Sequence, residues 1–424
     1  MLTIRLRTFL LYLISLNLIS INILEAQQSI SGFILDKETG SVVPYVSIFF
    51  QNNQTSGVIS NEEGAYRIEI PNEQDEDQLV FSVLGYQTQY LPINEIQDSV
   101  LNIQLEKSFI ELDEVVVISD LGLRAIVKKA LEKIPENYGS DKHFLETYYR
   151  RYTVTNDKHS HIKEAFFTLE DGAYDDKLMD INIWLQHYRE SDDFRKVKWL
   201  DDRPGSNFLF VVYRWFNSVR NQTLHYMSTR STFSGKLENY TFSDRGTYLE
   251  NGDSLIRIAY NFNPTPEVQK KSHPESYYLY EGEILINLTD YAIIRNTLGQ
   301  GREDYFHDII YNKKGDKYYP QRFHYIIELG HGPNDINSHK INAFCYFYNV
   351  LASREERKGV KKGKRLSKEV PINSKTIKYD PAFWESNKKM IQLDLPQALQ
   401  NDLNRIIKLE EQYRKNAKKV IDKQ

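Results

Sequence analysis

One short pattern in this sequence has the residue types and the spacing of a metal site. His161-Ile162-Lys163-Glu164 places a histidine and a glutamate three positions apart, and His273 lies at a distance along the chain that would suit a further ligand. A zinc ion held in this way, with water in its fourth position and a glutamate as general base, catalyses hydrolysis. A chain with ten histidines also offers such a spacing by chance.

The residues after Glu164 favour a strand and argue against this zinc site. In a strand, His161 and Glu164 point to opposite faces, and we interpret them as a solvent-facing histidine and an ordinary surface carboxylate. The sequence also lacks a Gly-x-Ser-x-Gly elbow, a phosphate-binding glycine-rich loop and a His-Glu-x-x-His helix. We predict no catalytic residue, no metal site and no cofactor. Carboxylates that pair only in space, as in glycosidases, escape a sequence search, so an enzymatic activity stays open.

The single cysteine, Cys345, cannot form an intramolecular disulfide in any compartment. It lies in Ala343-Phe344-Cys345-Tyr346-Phe347, a stretch typical of a buried strand. A catalytic thiol would require a nearby histidine and an exposed, electropositive setting. We predict that Cys345 packs in a core.

Positive charge accumulates in one stretch late in the chain, where two glycines interrupt it. We predict an exposed, solvated loop, which in an envelope protein could also contact lipid phosphates or anionic glycans. The basic residues of this stretch are Arg354, Arg357, Lys358, Lys361, Lys362, Lys364, Arg365 and Lys368.

Residues 29–118 show the alternation of apolar and polar side chains that half-buried antiparallel strands require. For example, Val46, Ile48 and Phe50 fall on one face of a strand. About seven such strands predict a β-sandwich, because each sheet must bury one face on the other.

Four segments of this stretch resemble, in the same order, the carboxypeptidase-regulatory-like domain, a transthyretin-like β-sandwich. They are Ser31-Gly32-Phe33-Ile34-Leu35-Asp36, Val43-Pro44-Tyr45-Val46-Ser47-Ile48, Asn61-Glu62-Glu63-Gly64-Ala65-Tyr66 and Phe81-Ser82-Val83-Leu84-Gly85-Tyr86. The following segment, Leu112-Asp113-Glu114-Val115-Val116-Val117, is similar to one that follows such domains in TonB-dependent transporters of Gram-negative bacteria. The resemblance implies a place in the bacterial envelope and brings no peptidase machinery with it.

The rest of the chain is too short for a transporter barrel, which needs roughly 22 strands of about 10 residues plus loops. Instead, Ala125-Ile126-Val127-Lys128-Lys129-Ala130 and Tyr379-Asp380-Pro381-Ala382-Phe383-Trp384-Glu385 resemble a second family of envelope proteins. In that family the sandwich precedes an uncharacterised β-rich domain. Residues 281–294 are weakly similar to strand pairs of periplasmic lipoprotein carriers.

The N-terminus has the features of a secretory signal peptide. Two arginines precede an apolar stretch from Phe9 to Leu24, and two asparagines interrupt it, which disfavours a transmembrane anchor. We predict cleavage near Ala26. No cysteine lies near this exit, which excludes a lipoprotein anchor.

The composition agrees with more than one β-rich core. The chain has 424 residues with 41% hydrophobic content, and its formal net charge of −4 offers no global attraction for nucleic acid. We predict a mainly β fold in which an N-terminal transthyretin-like β-sandwich precedes a larger antiparallel β-rich domain with a few helices. The predicted segments are a signal peptide (1–26), the sandwich (29–107), a connector and amphipathic helix (108–135), the β-rich domain (136–352), a basic loop (353–370) and an anchoring segment with a C-terminal helix (371–424).

Several elements of the second half can be predicted individually. Ser119 and Asp120 cap a helix that Pro135 ends. Phe208 to Val219 has helical spacing. The predicted turns between strands are Glu250-Asn251-Gly252-Asp253, Asn287-Leu288-Thr289-Asp290 and Lys313-Lys314-Gly315-Asp316. In the tail, Phe383 and Trp384 anchor the chain, and one helix begins at Pro396 and continues through Tyr413.

These observations predict an exported, non-catalytic binding or assembly protein of the bacterial envelope, with the sandwich as an accessory module. The alternative is a periplasmic carrier of a lipid or another hydrophobic ligand, held in a curved, half-open barrel lined by aromatic side chains. A zinc metallocarboxypeptidase-type hydrolase is less favoured. We expect an envelope protein or outer-membrane component as partner, a lipid or anionic glycan as a further candidate, and no nucleic acid. The expected location is the periplasm or the outer membrane.

Overall fold

The computed structural model describes most of the chain outside the N-terminal segment and several internal stretches. Four predicted features lie outside the described residues: the signal peptide, the connector at 109–117, the helix at 208–219 and His273. The described residues are 29–70, 77–83, 85–108, 118–139, 141–171, 181–195, 237–250, 252–263, 281–299, 305–329, 336–358, 360, 363–365, 379–387 and 395–418.

The N-terminal part is a sandwich of two small sheets, as the alternating pattern predicts. Val46, Ile48 and Phe50 point into its core with exposures of 2% or less. One sheet has the order β4-β1-β7 and the other the order β3-β2-β5-β6. The strands are β1 Ser29–Asp36, β2 Ser47–Phe50, β3 Asn53–Ile59, β4 Ala65–Glu69, β5 Gln78–Ser82, β6 Gln89–Pro92 and β7 Ile103–Leu105.

The larger part is one antiparallel sheet of eleven strands, with the order β11-β12-β13-β14-β15-β16-β17-β8-β9-β10-β18. Its strands are β8 His143–Thr155, β9 Lys158–Asp171, β10 Ile181–Glu190, β11 Tyr240–Glu250, β12 Asp253–Phe262, β13 Gly282–Asn287, β14 Ile293–Leu298, β15 Tyr305–Lys314, β16 Lys317–Leu329, β17 His339–Leu351 and β18 Lys364–Arg365. The prediction of a mainly β fold is confirmed.

The three predicted turns between strands are confirmed. Glu250 pairs with Asp253 across the first turn, where Gly252 has a φ of 89°. β13 and β14 pair around the second turn, and Lys314 pairs with Lys317 around the third. Each hairpin joins neighbours in the sheet, so chain order and strand order coincide from β11 to β17.

Six α-helices accompany the strands in the described part of the chain. They are α1 Asp120–Glu132, α2 Ile134–Asn137, α3 Arg354–Lys358, α4 Pro381–Asn387, α5 Gln397–Leu403 and α6 Leu409–Lys418. The predicted cap of α1 is confirmed, because the Ser119 side chain accepts a hydrogen bond from the Gly122 amide.

Two predicted helix boundaries are wrong. Pro135 does not end a helix: α1 ends at Glu132, and Pro135 lies in the first turn of α2, where its missing N–H is not needed. The tail holds two helices in place of one. Between them the Asn404 side chain accepts a hydrogen bond from the Leu409 amide, and the Gln412 side chain donates to the Leu403 carbonyl. These side chains satisfy the backbone groups that the break frees.

The basic stretch is not simply a solvated loop. Residues 354–358 form α3, and β18 pairs with Trp184 and Leu185 of β10. Gly363 makes this approach feasible, since a Cβ there would lie 1.9 Å from the Leu185 carbonyl oxygen. β18 thus covers part of the backbone edge of β10.

The large sheet has two distinct faces. The inner face, which carries Tyr149 and Tyr325, packs against α1 and α2 in a core of aromatic and aliphatic side chains. The outer face, which carries Tyr148, Phe166 and Phe344, packs against the sandwich and the C-terminal helices. Cys345 points into the inner-face core, which confirms its predicted packing, and burial raises the pKa of its thiol.

Candidate functional site

The structure separates the two residues of the His-x-x-Glu pattern. Both lie on β9, where His161 faces Thr153 on the inner side and Glu164 lies opposite Arg150 on the outer side. Their interpretation as solvent-facing residues is wrong, because their exposures are 5% and 1%. No group of three metal-ligating side chains occurs among the described residues. Neighbouring side chains of the outer face bind Glu164 instead.

Glu164 lies between two arginines, and we call Arg150, Glu164 and Arg189 the closed triad. Arg150 Nε lies 3.2 Å from Glu164 Oε1, and Arg189 Nε lies 2.7 Å from Oε2. The Tyr148 hydroxyl also donates to Oε1, and the Tyr413 hydroxyl donates to Oε2 at 3.3 Å. These contacts satisfy both carboxylate oxygens.

Aromatic rings of the C-terminal helices cover the closed triad. The Arg189 guanidinium lies 4.0 Å from the centre of the Trp384 ring and 4.6 Å from that of Tyr413, within cation–π range. Trp384 thereby anchors the tail, as the sequence predicts. The closed triad therefore fastens α4 and α6 to the outer face.

A second set of two arginines and one carboxylate lies further along the outer face, and we call Arg295, Asp308 and Arg322 the open triad. Arg295 binds Asp308 through two parallel contacts, of 2.7 Å from Nε and 3.2 Å from Nη2. Arg322 Nη2 adds a contact of 2.9 Å. Arg322 Nε, although buried, has no hydrogen-bond partner in the part of the chain that the structure describes.

One arginine of the open triad, Arg322, is less well stabilised than the other arginines of the two triads. Burial opposes the charge of Arg150, but its neighbours, Glu164 among them, raise the pKa of its guanidinium. Burial opposes the charge of Arg295 as well, but Asp308 raises the pKa of its guanidinium. For Arg322, burial and the nearby charge of Arg295 outweigh Asp308, and the pKa is lowered. All three arginines stay protonated, so the direction of each pKa shift indicates how well the surrounding groups stabilise the positive charge.

Tyr45 of the sandwich packs directly beside the open triad. The Tyr45 ring stacks on Phe344 with ring centres 5.2 Å apart, and the Arg322 guanidinium lies 4.9 Å from the Tyr45 ring centre. Tyr45 has a φ of 59°, a conformation that costs about 1 to 3 kcal/mol in a residue of this size. The stacking at the seam stabilises this conformation.

A cleft of about 280 Å³ opens at this seam between the sandwich and the outer face. One wall is the outward side of β2 and the end of β5, and the other wall is formed by β12 to β16. Arg322 is the one member of the open triad that lines it. The full lining is Tyr45, Ser47, Phe49, Ile59, Ser82, Val83, Asp253, Leu255, Asn287, Ile294, Ile310, Tyr311, Asn312, Lys313, Tyr318, Gln321 and Arg322.

The sequence did not single out any residue of the open triad. The sequence patterns assigned no functional role to Arg295, Asp308 or Arg322. A usable signal exists, because Asp308 carries a charge on the face of β15 where the apolar Phe306 and Ile310 lie two positions to either side of it. A charged residue at such a position must find a partner on a neighbouring strand.

Residues 30–117 match the family described as the CarboxypepD_reg-like domain, which confirms the resemblance seen in the sequence. No curated protein sequence matches the chain. No helix within the described residues is long and apolar enough to cross a membrane.

Solved structures give distant matches. A domain from Vibrio parahaemolyticus, described as an outer membrane lipoprotein-sorting protein, is 10% identical, with 55% of this chain and 93% of that chain covered and a TM-score of 0.22. A DUF1329 family protein from Desulfovibrio piger is 8% identical, with coverages of 57% and 96% and a TM-score of 0.22. A LolA superfamily protein from Nitrosomonas europaea is 8% identical, with coverages of 60% and 98% and a TM-score of 0.20. At such scores these matches carry no functional argument.

Proposed function

We propose that this protein is an exported, non-catalytic binding protein of the bacterial envelope. In this proposal the sandwich is an accessory module that completes a binding cleft together with the large sheet. The observation that carries the proposal is the cleft at the seam, because both units contribute its walls and neither forms it alone. The signal-peptide pattern and the domain family at residues 30–117 support the proposed address.

The contacts that surround the cleft are those of a fixed site. Tyr45 is held by stacking, and the Gln321 side chain donates a hydrogen bond to Ser47 Oγ at 3.3 Å across the seam. A site on two rigidly packed units keeps its shape before the ligand arrives, which lowers the entropic cost of binding. The cleft is smaller than most drug-sized ligand sites, so its occupant is a small molecule or part of a larger partner.

A carrier of a hydrophobic ligand is the second candidate, and the apolar residues of the cleft favour it. Phe49, Leu255 and Ile310 line the cleft beside its polar groups. The described side chains of the inner face pack against α1 and one another, so a carrier function would use the seam. A cleft of about 280 Å³ would hold one short chain and not a multiply acylated lipid.

A photo-reactive phenylalanine analogue can test the cleft in the living envelope. Phe49 lines the cleft, whereas Phe33 lies on the other sheet of the same sandwich and is 47% exposed. With the analogue at position 49, irradiation of the source cells should yield an adduct of the full-length protein, detected by intact mass and gel mobility. With the analogue at position 33, which serves as the matched control, it should not.

Two results would contradict the proposal. The first is the absence of any adduct at position 49, or equal adducts at both positions. The second is metal-dependent peptidase activity of the purified protein that His161→Ala abolishes. Either result would move the function away from binding at the seam.

A further inference from the structure

The chemical character of the side chains that line the cleft changes from one end to the other. Arg322 lies on β16 and Asp253 on β12, and both line the cleft. Four strand spacings of about 4.8 Å separate these strands, which therefore lie roughly 19 Å apart across the sheet. Ile294 of β14 and Ile310 of β15 line the cleft between them, and Leu255 lies near Asp253 on β12. A cationic end therefore continues into an apolar middle.

The charge at the Arg322 end is not balanced within its triad. Two guanidiniums share the single carboxylate of Asp308, and Arg295 already binds it through two contacts. Arg322 has one contact to Asp308, a long one of 3.5 Å to the Tyr45 carbonyl oxygen, and a buried Nε without a partner among the described residues. Its side chain is 9% exposed. An arginine in this state has hydrogen-bonding capacity for an oxyanion.

The other charged groups of the cleft are already bound to neighbours. Lys313 Nζ lies 3.0 Å from Asp290, and Asp253 accepts a hydrogen bond from Thr289 at 3.1 Å. An anion would therefore be attracted to the Arg322 end and repelled by Asp253. His324, which contacts Tyr45, adds no charge near neutral pH, because burial and the charge of Arg322 lower its pKa to about 4.

Resting on the proposed binding function, we propose that the cleft takes an anionic amphiphile. A carboxylate or phosphate head lies against the Arg322 guanidinium, and an apolar body lies between Phe49 of the sandwich and Ile310 of the sheet. The head supplies the missing anion of the open triad. The apolar body replaces water along the middle of the cleft, which adds affinity in proportion to the area buried.

Calorimetric titration of the full chain with simple probes tests this proposal. Octanoate and octyl phosphate carry the two candidate heads, octanamide carries the same chain without charge, and acetate and inorganic phosphate carry the heads alone. At least one charged amphiphile should bind roughly tenfold or more tightly than octanamide, as a charge-assisted contact to arginine implies. Which of the two binds more tightly identifies the head group.

Variants of two cleft cations locate the binding. Arg322→Gln should weaken binding of the charged amphiphile about tenfold or more and leave octanamide unchanged. Lys313→Gln is the matched control, since Lys313 lines the same cleft but is already paired, and it should change binding by less than about threefold. Arg322→Lys keeps the charge and loses the planar fork, so its affinity for the charged amphiphile should lie between those of Arg322→Gln and Lys313→Gln. Thermal unfolding of each variant confirms that it is folded.

Three outcomes would overturn the proposal. They are octanamide binding as tightly as both charged amphiphiles, the tighter charged amphiphile binding no better than its head alone (acetate or inorganic phosphate), and binding of that amphiphile that Arg322→Gln does not alter. A lack of binding by every probe overturns it as well. None of these outcomes affects the cross-linking at position 49, so the proposed binding function can stand when the ligand class fails.

Discussion

The closed and open triads each join two arginines to one carboxylate on the same face of one sheet, and they differ in what covers them. Two arginines flank one carboxylate in each. In the closed triad two tyrosine hydroxyls complete the carboxylate, and the rings of Trp384 and Tyr413 cover Arg189. In the open triad Arg322 borders a cleft. The difference between a structural ion cluster and a candidate site therefore lies in whether neighbouring groups satisfy every charged side chain, and not in the residue types.

The elements that cover the two triads differ in the same way. C-terminal helices fold back over the closed triad, and their removal would expose a buried carboxylate. The sandwich only borders the open triad, through Tyr45, and leaves space beside it. Buried charges are costly unless every group is bound, so an incomplete cluster persists where a ligand can complete it.

Neutralising the carboxylate of each triad should give the largest difference in stability between them. Glu164→Gln leaves two buried guanidiniums without an anion, and we expect a loss of about 3 to 5 kcal/mol in the free energy of unfolding. Asp308→Asn is the matched change in the open triad. It should cost clearly less, because Arg295 is 36% exposed and remains hydrated. Chemical denaturation of both variants measures the difference, and an equal or larger cost for Asp308→Asn would contradict it.

Acid should destabilise the protein through the closed triad. Burial alone would raise the pKa of Glu164, but the two guanidiniums and the Tyr148 hydroxyl lower it to about 2 from 4.5. The resulting stabilisation is complete above about pH 4.5 and is lost as the pH falls towards 2. At about 1.4 kcal/mol per pH unit it amounts to about 3 kcal/mol.

Urea denaturation at several pH values tests this prediction, with Glu164→Gln as the control. The wild-type protein should lose stability between pH 4.5 and 2 more steeply than the variant, which lacks the titrating group. Parallel pH profiles of the two proteins would show that Glu164 does not carry the acid sensitivity.

The geometry of the arginines should matter more in the closed triad. Arg189→Lys keeps the charge but loses the planar fork and the stacking on Trp384, and we expect a cost of about 2 kcal/mol. Arg322→Lys should cost less than about 1 kcal/mol, since Arg322 makes one short contact to Asp308. Thermal unfolding of the two variants is sufficient, and a reversed order would show that the open triad is the more tightly bound one.

The fold was more accessible from the sequence than the site. Alternation predicted the sandwich strands, and turn-forming residues such as glycine, asparagine and aspartate predicted three hairpins of the large sheet, because both signals are local. The break between α5 and α6 could not be predicted. It depends on Asn404 and Gln412 binding backbone groups several residues away, and the apolar Ile406 suggested a continuous stripe although it is 72% exposed.

The candidate site could not be predicted because its residues come from distant parts of the chain. Tyr45 and Arg322 meet across 277 positions, and nothing near either residue in the sequence indicates the other. The His-x-x-Glu pattern shows the converse. His161 and Glu164 are close in sequence, yet the alternation of a strand places them in different environments. The strand alternation predicted this separation and the structure confirms it, whereas the burial of both residues was not predicted.

The smallest expected effect concerns Arg322, and it tests whether the open triad holds an excess charge. Arg322→Gln leaves Arg295 and Asp308 as a neutral pair joined by two contacts. Removal of a poorly balanced buried charge offsets the lost contact to Asp308, so the free energy of unfolding should change by less than about 1 kcal/mol in either direction. The matched change in the closed triad, Arg189→Gln, should lower the free energy of unfolding by about 3 kcal/mol or more, because the buried carboxylate then loses one of its two arginine partners. Chemical denaturation without ligand compares the two. A large loss in Arg322→Gln would mean that the open triad is a structural cluster like the closed one.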